Sequence, residues 1–600
     1  MQKERRDIES KYKWSLDKMY DDRSWEEDHG SVEPMLKDFA KYQGILTKDA
    51  DTLLQALKAR DEILMKIGGL YTFARMKKDE DNTVTSSAAR LDKIQGLEAK
   101  ARAEIAFFTP ELLSAKYDKI KAFYKEQPQL VAYEFMLEEL FRAEEHTLSE
   151  AEEKLISTLS PIFSASDDAY MMLSNADMDF GNVQMPNGED RTLTHGNYGS
   201  FMYSKDRKVR EQAYKKYYAE YDKHKNSIAT MLSYEVKKST ILAKVKNYES
   251  SLEKALDPDN IPSSVYSNLI DTINKHLPLL HRYMEVRRKM LKLEKLRMYD
   301  IYVPLLTLEN ERFDYEEALD LMYDALKPLG EEYLGYVKEG VSSGWIDVYE
   351  NKGKRSGAYS FGSYKSMPYI LLNYDGTLRN VFTLLHEMGH SMHSLYTRKE
   401  QPFMYSRYSL FTAEVASTVN EALLSDHMIK NAKDDNEKMY LINMYMEGFR
   451  LTIFRQTMFA EFERLIHATV EEGGALTVEY LCNKYLELNR KYHGENVELD
   501  EEISLEWARI PHFYSPFYVY KYATGYSAAT AISRKILKEG EPAAGSYIRF
   551  LKSGGSDHPI ELLKIAGVDM SSTEPIELAM KVFEELLVEM ETMLSKTGER

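Results

Sequence analysis

Apolar residues recur at helical spacing through most of this chain. The run Leu53-Leu54-x-x-Leu57 continues through Ile63-Leu64 to Ile67 and is expected to break at Gly68-Gly69. Further periodic runs predict helices over 84–107, 111–124, 130–143 and 148–174, punctuated by Pro110, Pro128 and Pro161, with a capping box at Ser149 and Glu152. Helices are predicted again over 206–247, from beyond Pro262 to about 293, over 314–342, and from 408 to the end of the chain, with a loop rich in aromatics and proline at 510–518. Three stretches break the period. Residues 178–194 hold two alternating runs around Asn187-Gly188, the signature of a β-hairpin. Asp300-Ile301-Tyr302-Val303-Pro304-Leu305 reads as a short extended piece. Ala358–Phe361 and Pro368–Tyr374, aromatic, β-branched and edged by glycine, read as two short strands. The pattern is that of a mainly α protein with a small sheet beside one particular helix. A sequence boundary near residue 200 separates an N-terminal helical region, 1–200, ending in the hairpin, from a second region, 201–600.

That helix carries His386-Glu387-Met388-Gly389-His390, an H-E-x-x-H sequence. At about 100° per residue, Val381, Leu384, Leu385, Met388, Met392 and Leu395 fall in one apolar stripe roughly 100° wide. His386 and His390 lie opposite, about 40° apart, with Glu387 roughly 60° beyond His390. Two imidazoles at i and i+4 reach one metal ion, and the neighbouring carboxylate stands beside the open coordination position, where a water is deprotonated. Gly389 costs about 1 kcal/mol relative to alanine in mid-helix, so something is expected to approach the backbone there. Catalytic zinc takes a third protein ligand. Residue 396 is tyrosine, which excludes the metzincin spacing, and His393 is expected behind the metal, supporting the site without binding the ion. The helical segment 411–421 offers Glu414 as third ligand, with Glu421 on the same face to orient a histidine from behind. Glu400 is the weaker alternative, because it falls in the turn. The strand at 356–361 is either a core hairpin or an edge to which a peptide adds as a further strand.

Composition narrows the field. The 600 residues include 79 Lys and Arg against 97 Asp and Glu, a formal net charge of −18. No basic arm or stripe interrupts this, so nucleic acid is not expected as a partner. The first residues, Met1-Gln2-Lys3-Glu4-Arg5-Arg6, are charged and lead into no apolar run, and no stretch approaches the roughly 20 apolar residues that span a bilayer. A cytoplasmic protein without membrane contact is expected. The single Cys482 excludes an internal disulfide and a cysteine-rich zinc site, and reads as a packed apolar residue.

The motif residues His386-Glu387-x-Gly389-His390-x-x-His393 and Glu414-Val415-Ala416-Ser417-Thr418-x-Asn420-Glu421 resemble the oligoendopeptidase F branch of the thimet-oligopeptidase-like (M3) metallopeptidases. Lys11-Tyr12-Lys13-Trp14, Asp300-Ile301-Tyr302, Ser356-Gly357-Ala358-Tyr359 and Ser553-Gly554-Gly555-Ser556 extend the resemblance along nearly the whole chain. It implies an elongated, two-lobed helical molecule with a deep central channel, and a catalytic domain in 201–600. It implies one Zn²⁺ per chain on His386, His390 and Glu414, with Glu387 as catalytic base. It also implies that His512, with a tyrosine from 514–526, faces the substrate; it does not choose among Tyr514, Tyr520 and Tyr522, of which Tyr520 is taken as the catalytic donor and Tyr514 and Tyr522 as neighbours of the peptide. With the resemblance, Gly357, Ala358 and Tyr359 are expected to bind substrate. The implied function is a zinc endopeptidase acting on short unstructured oligopeptides.

Two other readings stand against it. A carboxypeptidase of the same family needs a cation for the free carboxylate, and the sequence singles out none. A helical peptide-binding protein without catalysis is separated by metal content and chelator-sensitive cleavage. No G-x-S-x-G element or Cys/His arrangement supports another hydrolase chemistry.

Overall fold

The computed structural model describes residues 3–308 and 312–596. From 408 the chain is mostly helical to Lys596, but Val497–Glu498 is a strand and Glu501–Arg509 and Pro511–Tyr514 are 3-10 segments; residues 597–600 lie outside the described residues. Eight helices position or brace the residues of interest: α1 Ala50–Glu80, α2 Arg207–Val245, α3 Ser263–Met290, α4 Leu378–Glu400, α5 Leu410–Lys430, α6 Arg455–Glu471, α7 Tyr520–Glu539 and α8 Glu541–Ser553. The strands are short: β1 Asn182–Gln184, β2 Asp190–Thr192, β3 Leu296–Arg297, β4 Ile346–Asp347, β5 Tyr359–Phe361, β6 Tyr369–Leu371 and β7 Val497–Glu498. The fold is mainly α with small sheets, as the periodicity predicts.

The chain forms two compact units, each assembled from three segments. The first holds Met1–Glu145, Glu311–His427 and Ile532–Gly567; the second holds His146–Asn310, Met428–Ala531 and Val568–Arg600. These units do not follow the sequence boundary at residue 200. The hairpin of β1 and β2 is bonded to α2: the Gln184 N–H donates to Gln212 Oε1 at 2.6 Å, and Lys216 Nζ donates to the Asn182 carbonyl at 2.6 Å. Both sides of the boundary therefore belong to one unit.

In the first unit, a large apolar core of N-terminal helices, including Trp25, Leu53, Leu57, Leu70 and Phe73, also takes in Tyr369 and Leu371 of β6. Helix α1 passes through Gly68-Gly69 without breaking, which corrects the sequence reading. Tyr20 packs at that point, and a Cβ on Gly69 would lie 3.2 Å from its hydroxyl. The sheet has the order β4-β6-β5, with β4 parallel and β5 antiparallel to β6. Strand β5 is thus an edge.

In the second unit, the extended piece expected at 300–305 is instead a turn after the 3-10 segment Met298–Asp300. Buried Asp300 receives Arg207 at 2.8 Å and Arg210 at 2.6 Å, and this paired carboxylate fixes the backbone. The true strand is β3, two residues long, paired parallel to β7. Cys482 is free and half-buried. Among the described residues, no helix is long and apolar enough to cross a membrane.

Candidate metal centre

Thr377 caps α4 by accepting a hydrogen bond from the Asn380 N–H. Leu384, Leu385, Met388 and Met392 are each 0% exposed, so core packing fixes the rotation of this helix. His386 and His390, one turn apart, bring their Nε2 atoms to 3.2 Å from each other. Two ring nitrogens at that distance need a proton or a cation between them.

Helix α5 crosses α4 at Gly389. A Cβ there would stand 2.6 Å from both the Ala416 carbonyl oxygen and Ser417 Cα, so the close approach expected from the sequence is that of a neighbouring backbone. Asn420 fixes the register: its Nδ2 donates to the Leu385 carbonyl at 3.1 Å, while Tyr333 donates to its Oδ1 at 3.2 Å. The crossing sets Glu414 Oε2 at 3.4 Å from His386 Nε2 and 3.5 Å from His390 Nε2. The three atoms form a nearly equilateral triangle. A tetrahedral zinc with bonds of about 2.1 Å places its ligand atoms about 3.4 Å apart. Donor types and spacing both fit that ion.

Glu421, two turns along α5 from Glu414, accepts a hydrogen bond from His386 Nδ1 at 2.7 Å. Holding the proton on Nδ1 leaves the Nε2 lone pair directed at the triangle. The electrostatics run the same way. Burial opposes charge on His386, but Glu414 and Glu421 outweigh it and raise its pKa to about 10. Hydrogen bonds from His386 and His390 hold Glu414 far below the usual carboxylate range. The site is a nest of carboxylates around two imidazoles, and it favours a cation.

Glu387 is 8% exposed. Burial raises its pKa, while His386 and His390 pull the other way and the nearby Ser360 backbone adds a smaller lowering. That placement follows from the strand pattern. Ile370 of β6 spends its N–H on the Trp345 carbonyl at 2.7 Å, so Ser360, opposite it, turns its own backbone groups to the free edge of β5. The edge of the sheet therefore meets the carboxylate of the motif. Ser360 was not among the expected residues, and the two-residue alternation of the strand was the signal for it.

Gly357, also expected at this edge, adopts φ +84°, and its carbonyl accepts from Asn373 Nδ2 at 2.8 Å. The Tyr359 hydroxyl donates to Asp79 Oδ2 at 2.8 Å, and Ala358, between them, is half-buried. All three belong to the edge strand or its approach, but the residue touching the motif is Ser360. His393 departs from the position expected for it. It is 0% exposed, its ring stacks on Tyr408 at 3.7 Å, and neither ring nitrogen has a hydrogen-bond partner. It packs the core side of α4. Glu400 lies 3.7 Å from Lys552, away from the triangle.

His512, Tyr514, Tyr520 and Tyr522 belong to the second unit. Half-buried His512 lies 6.1 Å from the Tyr518 ring and 6.0 Å from the Tyr522 ring, and these two tyrosines are 5.4 Å apart. Tyr514 is buried and stacked on Tyr170 at 4.5 Å. Tyr520 is 0% exposed, with its ring 5.2 Å from that of Tyr266. The tyrosines beside His512 are thus Tyr518 and Tyr522, four apart, while Tyr520, two from each, turns into the core.

A helix presenting two imidazoles and a carboxylate, with a glutamate delivered by the following helix, defines the class: a metallopeptidase. Comparison with known proteins gives the same class and refines it. The model of peptidase family M3 matches residues 200–582, and that of oligopeptidase F matches residues 111–180. Oligopeptidase PepF of Bacillus subtilis (strain 168) is 47% identical over 594 residues, covering 99% of this chain and 89% of the relative. The crystal structure of a putative peptidase from Chlamydophila abortus superposes with TM-score 0.93 at 37% identity, covering 99% of this chain and 100% of that one. That of oligoendopeptidase-F from Enterococcus faecium gives TM-score 0.74 at 38% identity, covering 96% and 99%. The chain belongs to peptidase family M3.

Proposed function

We propose that this peptidase is a zinc-dependent endopeptidase of short, unstructured oligopeptides, with its catalytic residues in 201–600. The observation that supports it most is the triangle of His386 Nε2, His390 Nε2 and Glu414 Oε2, at 3.2, 3.4 and 3.5 Å, beside the buried carboxylate of Glu387. When bound, zinc supplies Lewis acidity, lowering the pKa of a water and polarising a carbonyl.

The chain's own residues do the rest. Glu387 takes the proton of the attacking water and returns it to the leaving amine nitrogen, acting first as base and then as acid. Glu421 keeps His386 in the tautomer that can ligate. A peptide laid along the free edge of β5 pairs with backbone groups near Ser360, which recognises extended chains without regard to sequence and brings the peptide bond to Glu387. His512 is the candidate donor to the developing oxyanion, on the strength of the family resemblance.

The test uses a peptide library read by mass spectrometry, with and without chelator, for the wild type and Glu387→Gln. Internal cleavage abolished by chelator and restored by zinc is expected. Glu387→Gln should retain one zinc and lose activity by about 10³-fold or more. Normal cleavage by Glu387→Gln would overturn the mechanism, and release of single C-terminal residues would give the carboxypeptidase reading instead.

A further inference from the structure

Arg398 lies two turns beyond His390 on α4. Its Nη1 is closed off from solvent without a hydrogen bond, although the side chain as a whole keeps some exposure. Among the described residues no carboxylate pairs with it; the ionisable groups that act on it are Tyr408, a phenol kept neutral by burial, and a second cation, Arg407, which is exposed. The other arginines around β5 are satisfied: Arg75 and Arg355 lie 3.7 and 3.5 Å from Asp79. Burial draws the Arg398 pKa down to about 10, so it stays charged at neutral pH. A buried, uncompensated guanidinium is costly.

The fold makes room for this group. Gly362, the residue after β5, would with a Cβ stand 2.6 Å from Arg398 Nη1 and 2.7 Å from the Met367 carbonyl oxygen. The guanidinium thus occupies the space a side chain would take at the end of the edge strand. Ser360, which meets Glu387, is two residues back along that strand, roughly 7 Å at about 3.3 Å per residue. A peptide on the edge of β5 would pass this cation within one or two residues of its reacting bond.

We propose that Arg398, with Arg407 beside it, receives a carboxylate of the substrate peptide close to the scissile bond. The inference rests on the reading of β5 as the peptide-binding edge of a peptidase. The carboxylate has two sources, an Asp or Glu side chain or the free C-terminus of a short substrate.

Four peptides distinguish them: Glu or Gln next to the cleaved bond, each as free acid and as C-terminal amide. kcat/KM is measured for zinc-loaded wild type, Arg398→Gln and Arg398→Lys. Wild type should favour one carboxylate-bearing partner by about tenfold or more. Arg398→Gln should bring that ratio near one, and Arg398→Lys should keep part of it. Collapse of the Glu/Gln ratio assigns the side chain, and collapse of the acid/amide ratio assigns the terminus. Absence of any preference in wild type, or its persistence in Arg398→Gln, overturns the proposal. Failure of wild type to cleave all four overturns the peptidase reading instead. Should Arg398→Gln not fold, inhibition of wild type by N-acetyl dipeptides carrying Glu or Gln, each as acid and amide, decides, and equal inhibition by all four overturns the assignment.

Discussion

His386 Nδ1 and Glu421 Oε1 stand 2.7 Å apart, joined across 35 positions of sequence by the crossing of α4 and α5. This bond sets which nitrogen of His386 faces Glu414, so it acts on the metal without touching it. Glu421→Gln keeps an acceptor but loses its charge. Zinc affinity should fall about 10- to 100-fold, while kcat at saturating zinc changes less. Chelator competition and zinc-titrated kinetics measure the two effects separately.

Gly389→Ala places a methyl group 2.6 Å from the Ala416 carbonyl oxygen. Backbone on both sides prevents an easy adjustment, and overpacking of this kind costs about 1–3 kcal/mol. Glu414 lies on the displaced helix, so zinc affinity and thermal stability should fall together. A Gly389→Ala variant with unchanged Tm and zinc affinity would refute the close crossing of α4 and α5.

The second unit offers a contrast between buried and half-buried rings. The Tyr514 hydroxyl is buried without a hydrogen-bond partner, so Tyr514→Phe should leave kcat/KM unchanged and stability equal or slightly higher. His512→Ala should lower kcat by about 10²- to 10³-fold if its role is that of an oxyanion donor. Equal effects of the two substitutions on kcat would remove His512 from the mechanism.

Glu463 of α6 is 1% exposed; its Oε1 accepts from the Phe517 N–H at 2.9 Å and its Oε2 has no partner. Phe517 has φ +56°, a left-handed conformation that this hydrogen bond helps to hold. Burial raises the Glu463 pKa to about 8. The folded chain then keeps a proton that the unfolded chain gives up near pH 4.3. Stability from this group is greatest below that pH, falls as pH rises toward about 8, and is level beyond. Glu463→Gln keeps the acceptor and removes the titration. Its Tm relative to wild type should climb between about pH 5 and 8, and parallel curves would contradict the raised pKa.

The sequence carried the metal triangle because i, i+4 geometry on a single helix is a local property, and Glu414 followed from the next helix in line. The β1–β2 hairpin was equally legible, since Asn187-Gly188 sets a turn by itself. What escaped were outcomes of packing. Nothing local says that Tyr20 covers Gly69 and keeps α1 whole, or that Asp300 is pulled into a turn by two arginines. His393 looked polar on the wheel, but Tyr408 buries it. Among the tyrosines of 514–522, burial depends on helices far away in sequence, so the resemblance left the choice open and Tyr520 was taken where the structure sets Tyr518 and Tyr522 beside the histidine.

The three-segment construction of the first unit has a consequence for the order in which the molecule is made. Thr397 and Gln401 at the end of α4 donate to the Leu551 and Lys552 carbonyls of α8, each at 2.9 Å, and the Phe550 ring lies 5.3 Å from that of His393. During synthesis all three metal-facing side chains emerge more than a hundred residues before the helix that braces them. The nascent chain therefore carries the metal-facing helices past the whole central segment of the second unit before α8, whose carbonyls accept from Thr397 and Gln401, leaves the ribosome.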